Sequence, residues 1–145
     1  MTNRSWRGHL RIEGETAWWS GSIGDTISHR HFAAQAVFSD VPIRLLDGAG
    51  EEISATCVLI EPNTQHQLLP AHTAGLCYVE PTSLGLPEAL RARIERSEAH
   101  IVSDAKTRSF WKGAIGRSAG RRVGARVSLA ISAIEPLLPD GTVRL

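Results

Sequence analysis

From Leu10 to about Glu80 the chain alternates short apolar runs, rich in Val, Ile, Leu, Trp and Thr, with turn residues roughly every ten positions. Runs of this length and spacing predict antiparallel strands packed as a sandwich or barrel. The predicted strands are Gly8–Ile12, Thr16–Ser20, Ser28–Phe38, Val41–Leu46, Ile53–Ile60, His66–Leu69 and Ala74–Val79. The breaks Gly21–Asp25, Asp47–Gly50 and Glu61–Thr64 hold residues that accept positive φ or preset a turn.

Beyond Pro81 the period changes. Leu86-Pro87-Glu88 opens a helix with proline near its first turn, and Leu90 and Ile94 fall four apart on one face. A second helical stripe runs Val123, Val127, Ala130, Ile131, Ile134 and Leu138 before Pro139-Asp140-Gly141 stops it. Gly113, Gly116 and Gly120 leave the stretch between the two helices without a committed structure.

Side chains alternate faces along a strand, so the third run sorts into two sets. His29, His31, Ala33, Gln35 and Val37 share one face, and Arg30, Phe32, Ala34, Ala36 and Phe38 share the other. The first carries polar groups suited to a cavity. The second is apolar enough to require a cover, either the C-terminal helices or a second subunit. His29 and His31 stand side by side, close enough to converge on one ligand or metal, and His66 begins a later strand. The same three histidines also read as fold residues whose ring nitrogens satisfy nearby backbone groups.

Composition narrows the class. At 145 residues and 42% hydrophobic content, the chain is one domain's worth of soluble globular protein. No apolar run reaches the length of a membrane span and no secretion signal opens the chain, so a cytoplasmic location is expected, with Cys57 and Cys77 as reduced thiols inside strands. The net charge of +1 is uneven: residues 1–104 hold 8 basic against 13 acidic side chains, and residues 105–126 hold seven basic ones and no acid. An acidic first part excludes a nucleic-acid binder that uses its whole surface, while the basic stretch reads as a solvated face or a segment lying near DNA. No Ser/His/Asp or Cys/His arrangement marks nucleophilic catalysis, and no catalytic residue is assigned.

Gly24-Asp25-Thr26-Ile27-Ser28-His29-Arg30-His31 followed by Gln35 resembles the first cupin motif, a glycine, His-x-His and then a glutamate. Glu61-Pro62-Asn63-Thr64-Gln65-His66 resembles the second, Pro-x-Gly-x-x-His, with Asn63 as a residue that readily takes the left-handed conformation. Within that superfamily the chain is similar to the cupin-like N-terminal domain of AraC-type transcriptional regulators, where a closing strand runs into a step such as Tyr78-Val79-Glu80-Pro81-Thr82-Ser83. The tail from Arg121 to Leu145 resembles the helix that leads into the regulators' DNA-binding region, whose helix-turn-helix units are expected to be absent from this chain.

This resemblance implies a mainly β fold, a double-stranded β-helix or jelly-roll barrel over residues 1–83, a helical dimerisation or linker region over 84–120, and a leading helix over 121–145. It implies a sensing and dimerising domain in which His29, His31, Gln35 and His66 line the pocket mouth and Trp18 or Trp19 forms an aromatic wall, one of that pair facing in and the other out, with Trp18 taken as the ligand-facing one. A small-molecule effector, no cofactor, a homodimer and no direct DNA reading follow from it. The alternative is a small metal-dependent cupin enzyme with His29, His31 and His66 as ligands to zinc, nickel or a similar divalent ion, Gln35 as a fourth donor where metallocupins carry Glu, and an open position for substrate. A third reading is a free-standing binding module that competes with a full-length regulator.

Overall fold

The computed structural model describes residues 6–13, 16–82, 85–103 and 108–120. It is mainly β. One sheet orders its strands β1 (Gly8–Glu13), β2 (Thr16–Ile23), β6 (Ala71–Val79), β3 (Ala34–Leu46), β4 (Glu52–Ile60) and β7 (Ala99–Val102), with β5 (Gln67–Leu68) pairing the far end of β3. Every pairing is antiparallel except β4 with β7.

Strand parity builds two cores on the two faces of this sheet. Ala17, Trp19, Val37, Leu45, Val58, Ile60, Leu76 and Tyr78 pack together on one face with Val102. Among the described residues this cluster draws on strands and loops and on neither helix. On the other face Ala34, Ala36, Cys57, Leu59, Cys77 and Val79 meet Leu90 and Ile94 of α1 (Glu88–Glu95) and Trp111 of α2 (Phe110–Gly120). Of the two covers expected for the even-numbered face of the third run, the helices therefore supply one over Ala34, Ala36 and Phe38, whereas Phe32 of the same face stays exposed. Both cysteines are free and buried there.

Several expectations need correction. Ser28–Phe38 and Val41–Leu46 are not two strands: β3 is a single strand whose register against β4 shifts between Phe38 and Ile43. Residues 28–33 leave the ladder, with only an isolated bridge at His29. The break placed at Gly21–Asp25 begins later, because β2 continues to Ile23. Residues 84–120 are not purely helical, since β7 extends the sheet along β4. The glycine-spaced stretch is helical as α2, held by tertiary contacts that override its weak propensity. Ser109 Oγ accepts from Lys112 N at its first turn, and the carboxylate of Glu61 accepts from Ser109 Oγ and from Phe110 N. The stripe Val123–Leu138 lies outside the described residues. No helix among the described residues is long and apolar enough to cross a membrane.

The β1–β2 hairpin depends on two glycines. Gly8 and Gly21 are paired in register, and a Cβ on Gly21, whose φ is +151°, would come within 2.1 Å of Arg7 O and 2.6 Å of Gly8 Cα. Those are backbone atoms that no rotamer change can move. Gly21→Ala is expected to destabilise by about 3 kcal/mol, against about 1 kcal/mol for Gly50→Ala, where φ is also positive but the space is open. Urea midpoints of the two variants check the difference.

Candidate functional site

The segment 24–33 runs beside 63–68 as an irregular pair of strand ends stitched by side chains. Thr26 Oγ1 donates to Leu68 O at 2.8 Å, Gln67 Nε2 to Thr26 O at 3.0 Å, and Gln65 Nε2 to Ser28 Oγ at 2.8 Å. At its centre His29 and His66 exchange both backbone hydrogen bonds, 2.9 and 2.8 Å long. Residues opposed in this way project to the same face. That places two imidazoles together although 37 residues separate them in the chain.

His31 joins them through the second turn. Asn63 takes φ 58°, the left-handed conformation expected of it, and its N–H donates to His31 O at 2.7 Å. The three rings then form one cluster, with centroid separations of 4.5, 5.1 and 5.5 Å and one nitrogen of each within 4.8 Å of the others. Relative exposures are 9% for His29, 7% for His31 and 0% for His66, so the cluster lies inside the fold and not on scattered surfaces.

All three rings are oriented alike. Nδ1 of His29 lies 2.6 Å from Ile27 O, Nδ1 of His31 2.9 Å from Ala33 O, and Nδ1 of His66 2.7 Å from Thr64 O. A carbonyl only accepts, so each Nδ1 holds the proton and each Nε2 keeps its lone pair. In this respect the backbone-satisfying reading of the histidines is correct, but it accounts for half of each ring. Nε2 of His29 and of His66 are buried with no hydrogen-bond partner. Burial pushes His66 down to about 3 and His31 down to about 4, neighbouring imidazoles adding to the effect, and burial also lowers His29. The three rings are neutral at physiological pH.

Gln35 is fully buried, with Oε1 3.0 Å from His31 Nε2 and Nε2 3.4 Å from Tyr78 Oη. Tyr78, also buried, is a member of the site that the sequence reading missed; its signal is the β3–β6 register, which sets Gln35 opposite Tyr78. Parity alone places Tyr78 on the inner face with Leu76, but the pairing partner is not written in either strand. Trp18 does not join the cluster. It lies on the helix-side face of β2, against Phe38 and beneath Arg11, while Trp19 faces inward against Trp6. One of the pair is in and the other out, as expected, but the outward one is Trp18.

No protein-family model and no curated protein matches this chain. Among solved structures, that of protein NMB1881 from Neisseria meningitidis is similar over 53% of this chain and 87% of the other, at 12% identity and a TM-score of 0.43.

Proposed function

We propose that this chain is a cupin-like jelly-roll domain whose interior site holds a divalent transition metal on His29, His31 and His66, with Gln35 as the fourth donor. One observation carries the reading: three neutral imidazoles share one tautomer, fixed by backbone carbonyls, and two of their Nε2 lone pairs are buried with nothing to accept. Outer groups that fix the tautomer of a ligating histidine are what a metal site requires, and a buried lone pair without a donor is costly in a site with no other purpose. Three imidazoles and an amide oxygen form a neutral set that suits zinc, nickel or copper better than iron or manganese. When bound, the ion supplies Lewis acidity and a position for an oxygen-donor ligand. The chain itself supplies orientation and exclusion of water.

The sensing role keeps a specific observation of its own. Glu61, whose carboxylate holds the start of α2, immediately precedes the Pro62-Asn63 turn that carries His66. Occupancy of the cluster is thereby tied to the helix that follows, which suits a domain that reports binding to an attached segment, as a regulator's effector domain does.

The test is metal uptake. Protein stripped with a chelator is expected to bind one equivalent of zinc, cobalt or nickel by calorimetry, and His66→Ala and His31→Ala to abolish it while circular dichroism confirms their fold. Zinc at a free concentration 100-fold above Kd is expected to add about 2.7 kcal/mol of stability. Absent uptake, or uptake indifferent to both substitutions, refutes the proposal.

A further inference from the structure

Counting protons around His31 exposes a conflict at the fourth donor. A neutral imidazole carries one N–H, yet His31 faces oxygen at both nitrogens: Ala33 O at 2.9 Å from Nδ1 and Gln35 Oε1 at 3.0 Å from Nε2. The ring is 7% exposed and packs against the two other imidazoles, where a second proton would bury a charge with no counter-charge beside it. The Ala33 carbonyl is part of the backbone entering β3 and cannot turn, so it retains the proton. At Nε2 a lone pair then meets the lone pairs of an amide oxygen. Two arrangements relieve this: a cation between the two atoms, or a reversed amide that turns its N–H toward the ring.

Tyr78 makes both arrangements possible. Its hydroxyl is within reach of the far end of the amide, and a hydroxyl can either donate or accept. With Oε1 toward His31, the amide N–H donates to Tyr78 Oη. With the amide reversed, its N–H donates to His31 Nε2 and Tyr78 O–H donates to Oε1. Every buried polar atom of the Gln35–Tyr78 pair keeps a partner in either position, and the only movement is a half-turn of one terminal amide.

We propose that Gln35 is a two-position amide, donating to His31 Nε2 when the site is empty and turning Oε1 inward when a metal binds, and that Tyr78 is the positioning residue that satisfies both states. The proposal rests on the metal-centre reading for its loaded half only. It explains why a glutamine can stand beside these histidines: a carboxylate has no N–H with which to occupy the His31 lone pair. It also gives Tyr78, the chain's single tyrosine, a role at the site beyond filling space.

Side-chain NMR on 15N-labelled protein tests it, and the chain holds only three glutamines, so Gln35 is assigned by its loss in Gln35→Leu. In metal-free protein a Gln35 amide proton is expected to give a nuclear Overhauser contact to His31 Hε1. Zinc should remove that contact and leave contacts from the amide protons to the Tyr78 ring. In Tyr78→Phe, which keeps the ring and deletes the hydroxyl, the metal-free contact to His31 Hε1 should persist, because only the amide N–H can meet that lone pair, while zinc should bind several-fold more weakly, because the loaded amide N–H then has no acceptor. Contacts to Tyr78 alone in the metal-free protein, an unchanged set on zinc addition while the imidazole resonances move, or an unchanged zinc affinity in Tyr78→Phe would each overturn the proposal. Imidazole resonances that zinc leaves unmoved refute the metal centre and the loaded position with it, whereas the metal-free contacts decide the empty position independently.

Discussion

Lowering the pH from 7 to 4.5 is expected to remove about 2.5 kcal/mol of stability for each of His31 and His66, since each pKa unit between folded and unfolded states corresponds to about 1.4 kcal/mol. The unfolded chain takes up protons at these positions near pH 6.5, whereas burial holds the folded imidazoles down to about 4 and about 3. Between those limits the unfolded state binds more protons, so stability falls as the solution is acidified. The contribution is complete above pH 6.5 and is lost progressively as pH drops toward 4. A domain of ordinary stability, about 5–15 kcal/mol, would be close to unfolding at the lower end. Urea midpoints measured from pH 7.5 to 4 test this, and the other histidines, His9, His72 and His100, are exposed and stand outside the cluster. His66→Asn is expected to flatten the slope by about one proton. A midpoint that does not move between pH 7 and 5 would mean that the imidazoles are not buried as a neutral group.

How far the site was legible in the sequence follows from which contacts are local. His29 and His31 share a side because they are two residues apart, and the same parity correctly separates Ala33 and Val37 from Ala34, Ala36 and Phe38. The strand assumed over residues 28–33 fails because that backbone finds other partners. The His31 carbonyl is taken by Asn63 and the His29 backbone by His66, so a turn and a single bridge replace a ladder. Asn63 was readable, being a residue that tolerates the conformation its turn imposes. Tyr78 was not, because its place beside Gln35 is a property of register between two strands 43 residues apart. The short strand Ala99–Val102 carries only four residues with no alternation of its own, and it exists because the free edge of β4 accepts it. Trp18 and Trp19 were equivalent on pattern, and only the pairing of Trp18 with Cys77 and of Trp19 with Leu76 decides which is inside.

Trp111→Ala is expected to cost about 3–5 kcal/mol, the range for deleting a large, fully buried aromatic side chain. Trp111 is wholly buried against the helix-side core, and its Nε1 donates to Ile60 O at 2.9 Å. Its removal should melt α2 and not merely loosen it, because Gly113 and Gly116 give that helix little propensity of its own. The loss propagates by a definite route. Ile60 O loses its donor, and the buried carboxylate of Glu61 loses the Phe110 N–H at 2.8 Å and the Ser109 hydroxyl. Both residues lie directly before the turn through which Asn63 N–H holds His31 O. Zinc affinity should therefore fall along with stability, although Trp111 belongs to the core on the opposite face of the sheet from the imidazoles. Trp111→Phe, which keeps most of the packing and loses the hydrogen bond, is expected to cost only about 1–2 kcal/mol. A double-mutant cycle of Trp111→Ala with Glu61→Gln, read by urea unfolding with and without zinc, should give a coupling of about 0.5–3 kcal/mol, because the two residues hold one helix end to one strand end. Additive effects, with zinc affinity unchanged in Trp111→Ala, would mean that α2 only covers the sheet and transmits nothing to the histidines.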